Sequence, residues 1–341
     1  LTIRDLKIDR KNFGSNSISA ISLINQATLN LTLEGDNSLY GAYGGAGIGV
    51  PSGTMLHITQ ESSGSLYAKG GNMFGGAAGI GAISPGLDLN YSSNPQTRSC
   101  GYIKIAGGTV KAEGGTYRFR GSDMSGGAGI GGGYRGKGGK ITINGGDITS
   151  LSRGGGYSIG SGRYLVGSEI CIDKNANVNA FSASGIAPIE ETDFTTNAFG
   201  FAGVFSSNPF KTDDTFEFKS DAGSKTVTFP AQCQELYTTL PAAGTYTVTC
   251  SDGDLTYKDG SKKYDKFEIA DTYKLFKIFS KCACELTAPD FLVDDILLSA
   301  STSSTTSTTA TTKKVTLKAK NPEFTRSDTC TLHTKSSMTI K

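Results

Sequence analysis

The sequence predicts an all-β chain, with a solenoid of short strands over residues 1–187 and a β-rich region after it. Three observations lead there. A glycine-rich phrase returns four times, as GGAGIG at 44–49, GGAAGIG at 75–81, GGAGIG at 126–131 and the degenerate GGGYSIG at 154–160; such a return marks one supersecondary unit laid down repeatedly. All but six of the 46 glycines lie within residues 1–187, too local a bias for general flexibility. Pairs of β-branched or leucine residues at period two precede each phrase, and no i, i+3, i+4, i+7 stripe of a helix accompanies them.

Aligning those pairs gives the elements in order. The first strand of each unit starts at Leu31-x-Leu33, Leu56-x-Ile58, Ile103-x-Ile105, Ile141-x-Ile143 and Ile170-x-Ile172. A second strand follows at Leu39, Leu66 to Ala68, Val110 to Ala112, Ile148 to Ser150 and Val178 to Ala180. The glycine-rich phrase closes the unit as a third strand and fades at Gly185-Ile186-Ala187. Extra residues at about 82–100 and 113–125 read as surface excursions. Tight corners need residues that tolerate positive φ, and a narrow interior needs residues without side chains, which explains the glycine. Collagen is excluded because glycine does not recur every third residue. A disordered linker is disfavoured because its Ile/Val pairs would have no reason to keep register. The inward set, Ile103, Ile105, Val110, Ile141, Ile143, Ile148, Ile170, Ile172 and Val178, is expected to be buried and stacked on its equivalents one unit away.

The string G-x-I-x-I-x-G-G-x-V-x-A-x-G-G, fullest at Gly101 to Gly115, followed by G-G-A-G-I-G-G-G at Gly126 to Gly133, resembles the repeats of secreted and cell-surface right-handed parallel β-helix proteins. These belong to the broad pectate-lyase-like superfamily and are often labelled carbohydrate-binding domains. The opening LTIRDLKI and the passage NLTLEGDNSLYG with VPSGTMLHIT are similar to the first coils of that family. The resemblance covers residues 1–187 and implies architecture more than function, since the superfamily holds lyases, hydrolases, adhesins and spacers.

Past residue 187 the composition shifts from glycine to aromatics. FEFKS (216–220), KTVTFP (225–230), GTYTVTC (244–250), LTYKDG (255–260) and KLFKIF (274–279) alternate like a sandwich or a small antiparallel sheet. The expected organisation is a parallel β-helix over 1–187, a sandwich-like domain over 188–298, a Ser/Thr-rich linker over 299–312 and C-terminal strands over 313–341. The linker tract, SASTSSTTSTTATT, reads as an extended O-glycosylated segment or as a polar edge strand.

Five of the seven cysteines follow residue 187, and small β domains so supplied are usually disulfide-stapled and extracytoplasmic. Cys233, Cys250, Cys282, Cys284 and Cys330 are the disulfide candidates. Cys282-Ala283-Cys284 has the wrong spacing for zinc and no His follows within reach, so neither metal nor cofactor is expected. The formal net charge of +2 gives no basic stripe for nucleic acid or anionic membrane. No apolar run approaches the ~18 residues of a membrane span. Leu1 heads no signal peptide, so the chain is expected to be a trimmed piece of a longer extracellular or cell-surface protein.

Residues flanking the inward pairs point outward and form rows, one residue per unit. No row brings together the two or three carboxylates of a glycosidase, or the calcium cage and base of a lyase. His57 and His333 have no acid or nucleophile at motif spacing. The GxGxxG-like strings lack the helix and Lys-Ser/Thr of a phosphate cradle. No catalytic residue is therefore assigned. One row stands out: Tyr40 stacked over Tyr67, continued by Lys111, Thr149 and Asn179, a face of rings, hydroxyls and amides suited to sugar or to a protein partner. A second group on the corner-side loops includes Arg135 and Arg153 with Tyr134, Tyr157, Arg163 and Tyr164. Asn30 and Asn90 head N-glycosylation triplets. The expected function is non-catalytic adhesion or glycan recognition. A self-assembling structural subunit of a surface filament is the alternative, and a polysaccharide lyase or hydrolase comes third.

Overall fold

In a computed structural model of the chain, the described residues are 1–11, 17–72, 75–84, 99–118, 124–183, 186–196, 201–205, 215–221, 223–230, 233–242 and 244–250, with backbone strands at 266–269, 275–279, 296–300 and 315–319. Among them there is strand and no helix. Two compact units divide at residue 287. The second, 288–341, shows one antiparallel pair, Ile296–Ala300 with Val315–Ala319.

The first unit is built on three sheets that the chain visits in rotation. Sheet one holds β1 (Thr2–Arg4), β4 (Thr28–Glu34), β7 (Met55–Ile58), β10 (Tyr102–Ile105), β15 (Gly139–Ile143), β18 (Ser168–Ile172) and β20 (Phe194–Thr196). Sheet two begins with β2 (Lys7–Asp9), β5 (Asp36–Tyr40), β8 (Ser65–Lys69), β11 (Thr109–Glu113), β16 (Gly146–Ser152) and β19 (Ala176–Ser182). Sheet three is made of two-residue strands, β3 (Ile21–Ser22), β6 (Ile48–Gly49), β9 (Ile80–Gly81), β14 (Ile130–Gly131) and β17 (Ile159–Gly160). Every pairing among these strands is parallel. We call one visit to all three sheets a circuit.

Side chains of period two fill the space the sheets share. Leu56, Ile103, Ile141 and Ile170 are register partners in sheet one, as are Leu66, Val110, Ile148 and Val178 in sheet two. All nine residues expected inside are at most 1% exposed and belong to one core cluster. Ile48, Ile80, Ile130 and Ile159 add the third wall. The glycines after Ile80 and Ile130 are dictated by space as well as by conformation. Gly131 has φ +131°, and a Cβ there would sit 2.0 Å from the Gly160 carbonyl oxygen.

Three expectations are corrected. Leu29 and Leu31, not Leu31 and Leu33, pair with Leu56 and Ile58. Sheet two is displaced likewise: Ser38 pairs with Tyr67, and Tyr40 with Lys69. The cause is Asn37, which faces inward opposite Leu66 and is 3% exposed. Its amide donates to the carbonyls of Glu34 (2.9 Å) and Ser65 (3.0 Å), and its oxygen accepts from Leu6 N–H (2.9 Å), so a polar residue occupies an apolar place without an unmet hydrogen bond. The third-sheet pattern fades not at Ile186 but at Ile189, which bridges Ile159 and is fully buried.

The excursion expected at 113–125 carries an antiparallel hairpin of β12 (Thr116–Arg118) and β13 (Met124–Gly126). Beyond residue 187, sheet two runs on through β24 (Glu235–Thr239), antiparallel to β19, then β21 (Phe201–Phe205) and β27 (Leu275–Phe279). Strands at 215–220, 223–228, 244–250 and 266–269 form a separate four-stranded antiparallel sheet. Its Phe216 lies 5.2 Å from Phe229, which in turn packs edge-on at 5.3 Å against Phe181 of β19. The tracts 255–260, 301–312 and 320–341 lie outside the described residues, as do Asn90, Cys282, Cys284, Cys330 and His333.

Candidate functional site

The corrected register rearranges the predicted sugar-binding row. It now reads Ser38, Tyr67, Lys111, Thr149, Asn179, with Thr238 of β24 after them. Tyr40 belongs to the next row and meets Tyr67 diagonally, with ring centroids 5.4 Å apart at 87°. The two rings are therefore edge-to-face and not stacked. Lys11 lies 3.7 Å from the Tyr40 ring centroid and Lys111 lies 5.4 Å from that of Tyr67. Lys111 is exposed, Thr149 is half-buried, and half-buried Asn179 accepts a hydrogen bond from the Thr238 hydroxyl at 2.6 Å.

Behind this face sits a group that residue spacing did not reveal. Glu113, at the end of β11, is 6% exposed. Its carboxylate accepts from the Tyr67 hydroxyl (2.8 Å) and the Lys69 ammonium (2.8 Å), and it pairs with the Arg153 guanidinium. Burial alone would raise its pKa, but Lys69 and Arg153 hold it below the ordinary carboxylate value. Burial and the Glu113 charge push the Tyr67 phenol up. Tyr67 and Arg153, both assigned to ligand binding from sequence, are thus committed to an internal ion cluster. Cys233 lies beside Arg153 as a buried free thiol, its pKa pushed by burial up to about 12. Cys100 and Cys171 are also free. Cys250 is placed at the end of a strand, with its side chain outside the described residues.

Sheet one presents ordinary cross-strand pairs. Lys140 and Glu169, register partners, meet at 2.5 Å on exposed side chains, as expected of single acids beside single lysines. His57 meets Asn30 at 3.2 Å; burial, then the charge of Lys104, lowers its pKa. Asn30 is exposed on β4. Among the described residues no three His, Cys, Asp or Glu side chains are grouped to hold a metal, and no helix is long and apolar enough to cross a membrane.

A second carboxylate escaped the sequence reading. Glu190 accepts from Ser161 N–H (2.8 Å), Ser168 N–H (3.1 Å), Gly167 N–H and the Ser168 hydroxyl (2.5 Å). Burial would raise its pKa, yet these donors, led by the Ser168 hydroxyl, bring it below the ordinary value. The only sequence signal for either residue was position: an acid at the end of an alternating strand and an acid directly after an inward isoleucine.

Arg135 stands elsewhere, at the corner that leads from sheet three to sheet one. Its guanidinium is 5.4 Å from the Tyr134 ring centroid and 5.7 Å from that of Tyr164. Arg135 thus has tyrosine rings beside it, whereas Arg153 pairs with Glu113. No protein-family model, curated protein or solved structure matches the chain.

Proposed function

We propose that this chain is a non-catalytic, extracellular surface protein that recognises glycan, its circuits winding as a right-handed parallel β-helix. The carrying observation is the row Ser38, Tyr67, Lys111, Thr149, Asn179, set by strand register at one residue per circuit. A row of ring, ammonium, hydroxyl and amide on a sheet face offers a sugar both a surface for its C–H groups and partners for its hydroxyls. The scaffold fixes that row before binding, so little ordering entropy is lost. Affinity for one chain is weak and grows with clustering.

A glycan array probed with clustered protein tests this, comparing wild type with Tyr40→Ala/Lys111→Ala, which leaves the Glu113 cluster intact. Wild type is expected to bind a defined set of sugars and the variant to lose at least about tenfold in signal. Equal binding by both excludes this face. No binding by either, with ordered end-to-end polymers in the electron microscope, replaces the proposal by the structural-subunit alternative.

A further inference from the structure

We infer that Asn144-Gly145, at the corner between sheets one and two, is a self-modification site: the asparagine side chain closes onto the glycine amide and reopens chiefly as isoaspartate. Neither a glycan nor any other partner is needed for it.

Of the asparagines in the chain, only Asn144 is followed by glycine. The Gly145 nitrogen, on losing its proton, attacks the carbonyl carbon of the Asn144 side chain. A C–N bond forms, ammonia leaves, and a succinimide ring closes. Water then opens the ring at one of its two carbonyls. Opening at the side-chain carbonyl gives aspartate; opening at the main-chain carbonyl leaves Gly145 attached through the former side chain, as isoaspartate, with one extra methylene in the backbone. Water is the only co-reactant. A side chain on the residue that supplies the nitrogen hinders the attack, and glycine brings none, while its backbone turns easily toward the ring geometry.

The fold leaves the reacting atoms uncommitted. Asn144 is exposed, one residue past the end of β15, and its side chain makes no hydrogen bond among the described residues. Gly145 is buried, yet its N–H finds no acceptor among the described residues, an uncommon state for a covered backbone donor. Before and after it the chain is held: Asn144 N–H donates to the Ile105 carbonyl at 2.7 Å and Asp147 N–H to that of Gly108 at 3.0 Å. Other asparagines contrast with this. Asn37 is enclosed by three hydrogen bonds, and Asn30, Asn177 and Asn179 are engaged with His57, Asp147 and Thr238. Amides that could attack are engaged as well. Val178 N–H, after Asn177, donates to the Thr239 hydroxyl at 2.9 Å, and Ala176 N–H, after Asn175, to the Asp173 carbonyl at 3.0 Å.

The corner has little room for a longer chain. Only Asn144 and Gly145 join β15 to β16. A Cβ on Gly145 would stand 2.7 Å from the Ala106 carbonyl oxygen, and one on Gly146, which has φ +85°, would stand 2.6 Å from that of Gly108 in the previous circuit. An added backbone methylene must therefore displace one of the held amides. Isoaspartate loosens the ladder at this corner, where aspartate adds only charge. The new carboxylate stands beside Asp173, because Ile143 and Ile172 are register partners, with Asp147 and Lys174 close in sequence.

The full chain, kept folded in mildly alkaline buffer at body temperature for weeks, is then digested with trypsin. The peptide Ile141–Arg153 is read by mass for exchange of amide for acid, and by isoaspartyl methyltransferase labelling. Conversion at Asn144 is expected to exceed that at Asn30, Asn37 and Asn177 by at least about tenfold, because a corner opens locally at far less cost than a strand. Asn144→Gln, whose ring would be one atom larger, should abolish labelling of that peptide without lowering the melting temperature. The converted protein, separated by ion exchange, should melt below both wild type and Asn144→Asp, which carries the charge without the extra atom. Conversion confined to chain unfolded in urea, or no faster at Asn144 than at the other three asparagines, overturns the inference. So does an aspartyl product free of isoaspartate, since direct hydrolysis of the amide yields that and a ring does not.

Discussion

Sheets one and three are laid down by the same circuits yet follow opposite rules. In sheet one the interior is made of side chains: Leu56, Ile103, Ile141 and Ile170 stack in strands of four or five residues. In sheet three the strands are two residues long, and backbone meets backbone where a β-carbon would collide. One wall is limited by what fills it and the other by what must be left out. A methyl group should therefore be worth opposite amounts in the two places.

The comparison breaks most severely where charge enters the side-chain wall. Ile143→Asp buries an unpaired carboxylate at a fully buried position and should cost about 5 kcal/mol or more, leaving no cooperative thermal transition. A soluble protein with wild-type melting would refute the register. Next comes a charge removed from where it is matched. Glu113→Gln leaves Lys69 and Arg153 without their carboxylate and should cost about 3 kcal/mol in denaturant unfolding, near the low end for broken buried pairs because both partners are partly exposed. Lys140→Ala, across an exposed pair, should change stability by less than about 1 kcal/mol.

The methyl comparison itself is sharper though smaller. Gly131→Ala adds one methyl and should destabilise by at least about 2 kcal/mol, since positive φ and the Gly160 carbonyl both oppose it. Ile143→Val removes one methyl and should cost only about 1 kcal/mol. If the two chevron or melting analyses give the reverse order, the third wall is not backbone-limited.

A last prediction concerns pH. Lys225 donates to the Thr239 carbonyl at 2.7 Å, and burial lowers its pKa to about 7, against the opposing charge of Asp147. The unfolded chain holds that proton up to about its ordinary 10.5, the folded chain only below about 7, so raising pH between these values stabilises the fold. The expected slope is at most about 1.4 kcal/mol per pH unit, and Lys225→Met should flatten it. Glu113 and Glu190 act in the acid range with the opposite lowered group: their contribution is present above pH 4.5 and is lost as pH falls through their lowered folded values. Urea titrations from pH 3 to 10 would separate the two.

The parallel strands were legible because alternation and the glycine phrase are local signals, each repeated often enough to check the others. The register of the early circuits was not, because Asn37 wears the face of a surface residue while its hydrogen bonds suit it to the interior. Tyr67 and Arg153 were picked as ligand-binding groups for their chemistry, yet the fold spends that chemistry on Glu113, a partner 46 and 40 residues away along the chain. Addition of β24 antiparallel to β19 depends on a contact across more than fifty residues, which no alternation pattern announces.

Glu190 has a meaning beyond its four donors. In earlier circuits the amide after each third-sheet glycine bonds to the glycine of the next circuit: Val50 to Gly81, Ala82 to Gly131, Gly132 to Gly160. The amide of Ser161, next in that series, bonds instead to the Glu190 side chain. After the single Ile159–Ile189 bridge, a carboxylate thus takes the place of the carbonyl that a further strand would offer. One residue acts as the full stop of a repeating text, and it makes array length a matter of punctuation: replacing Glu190 by glycine would leave an open site where another circuit, from a duplicated repeat, can be written in.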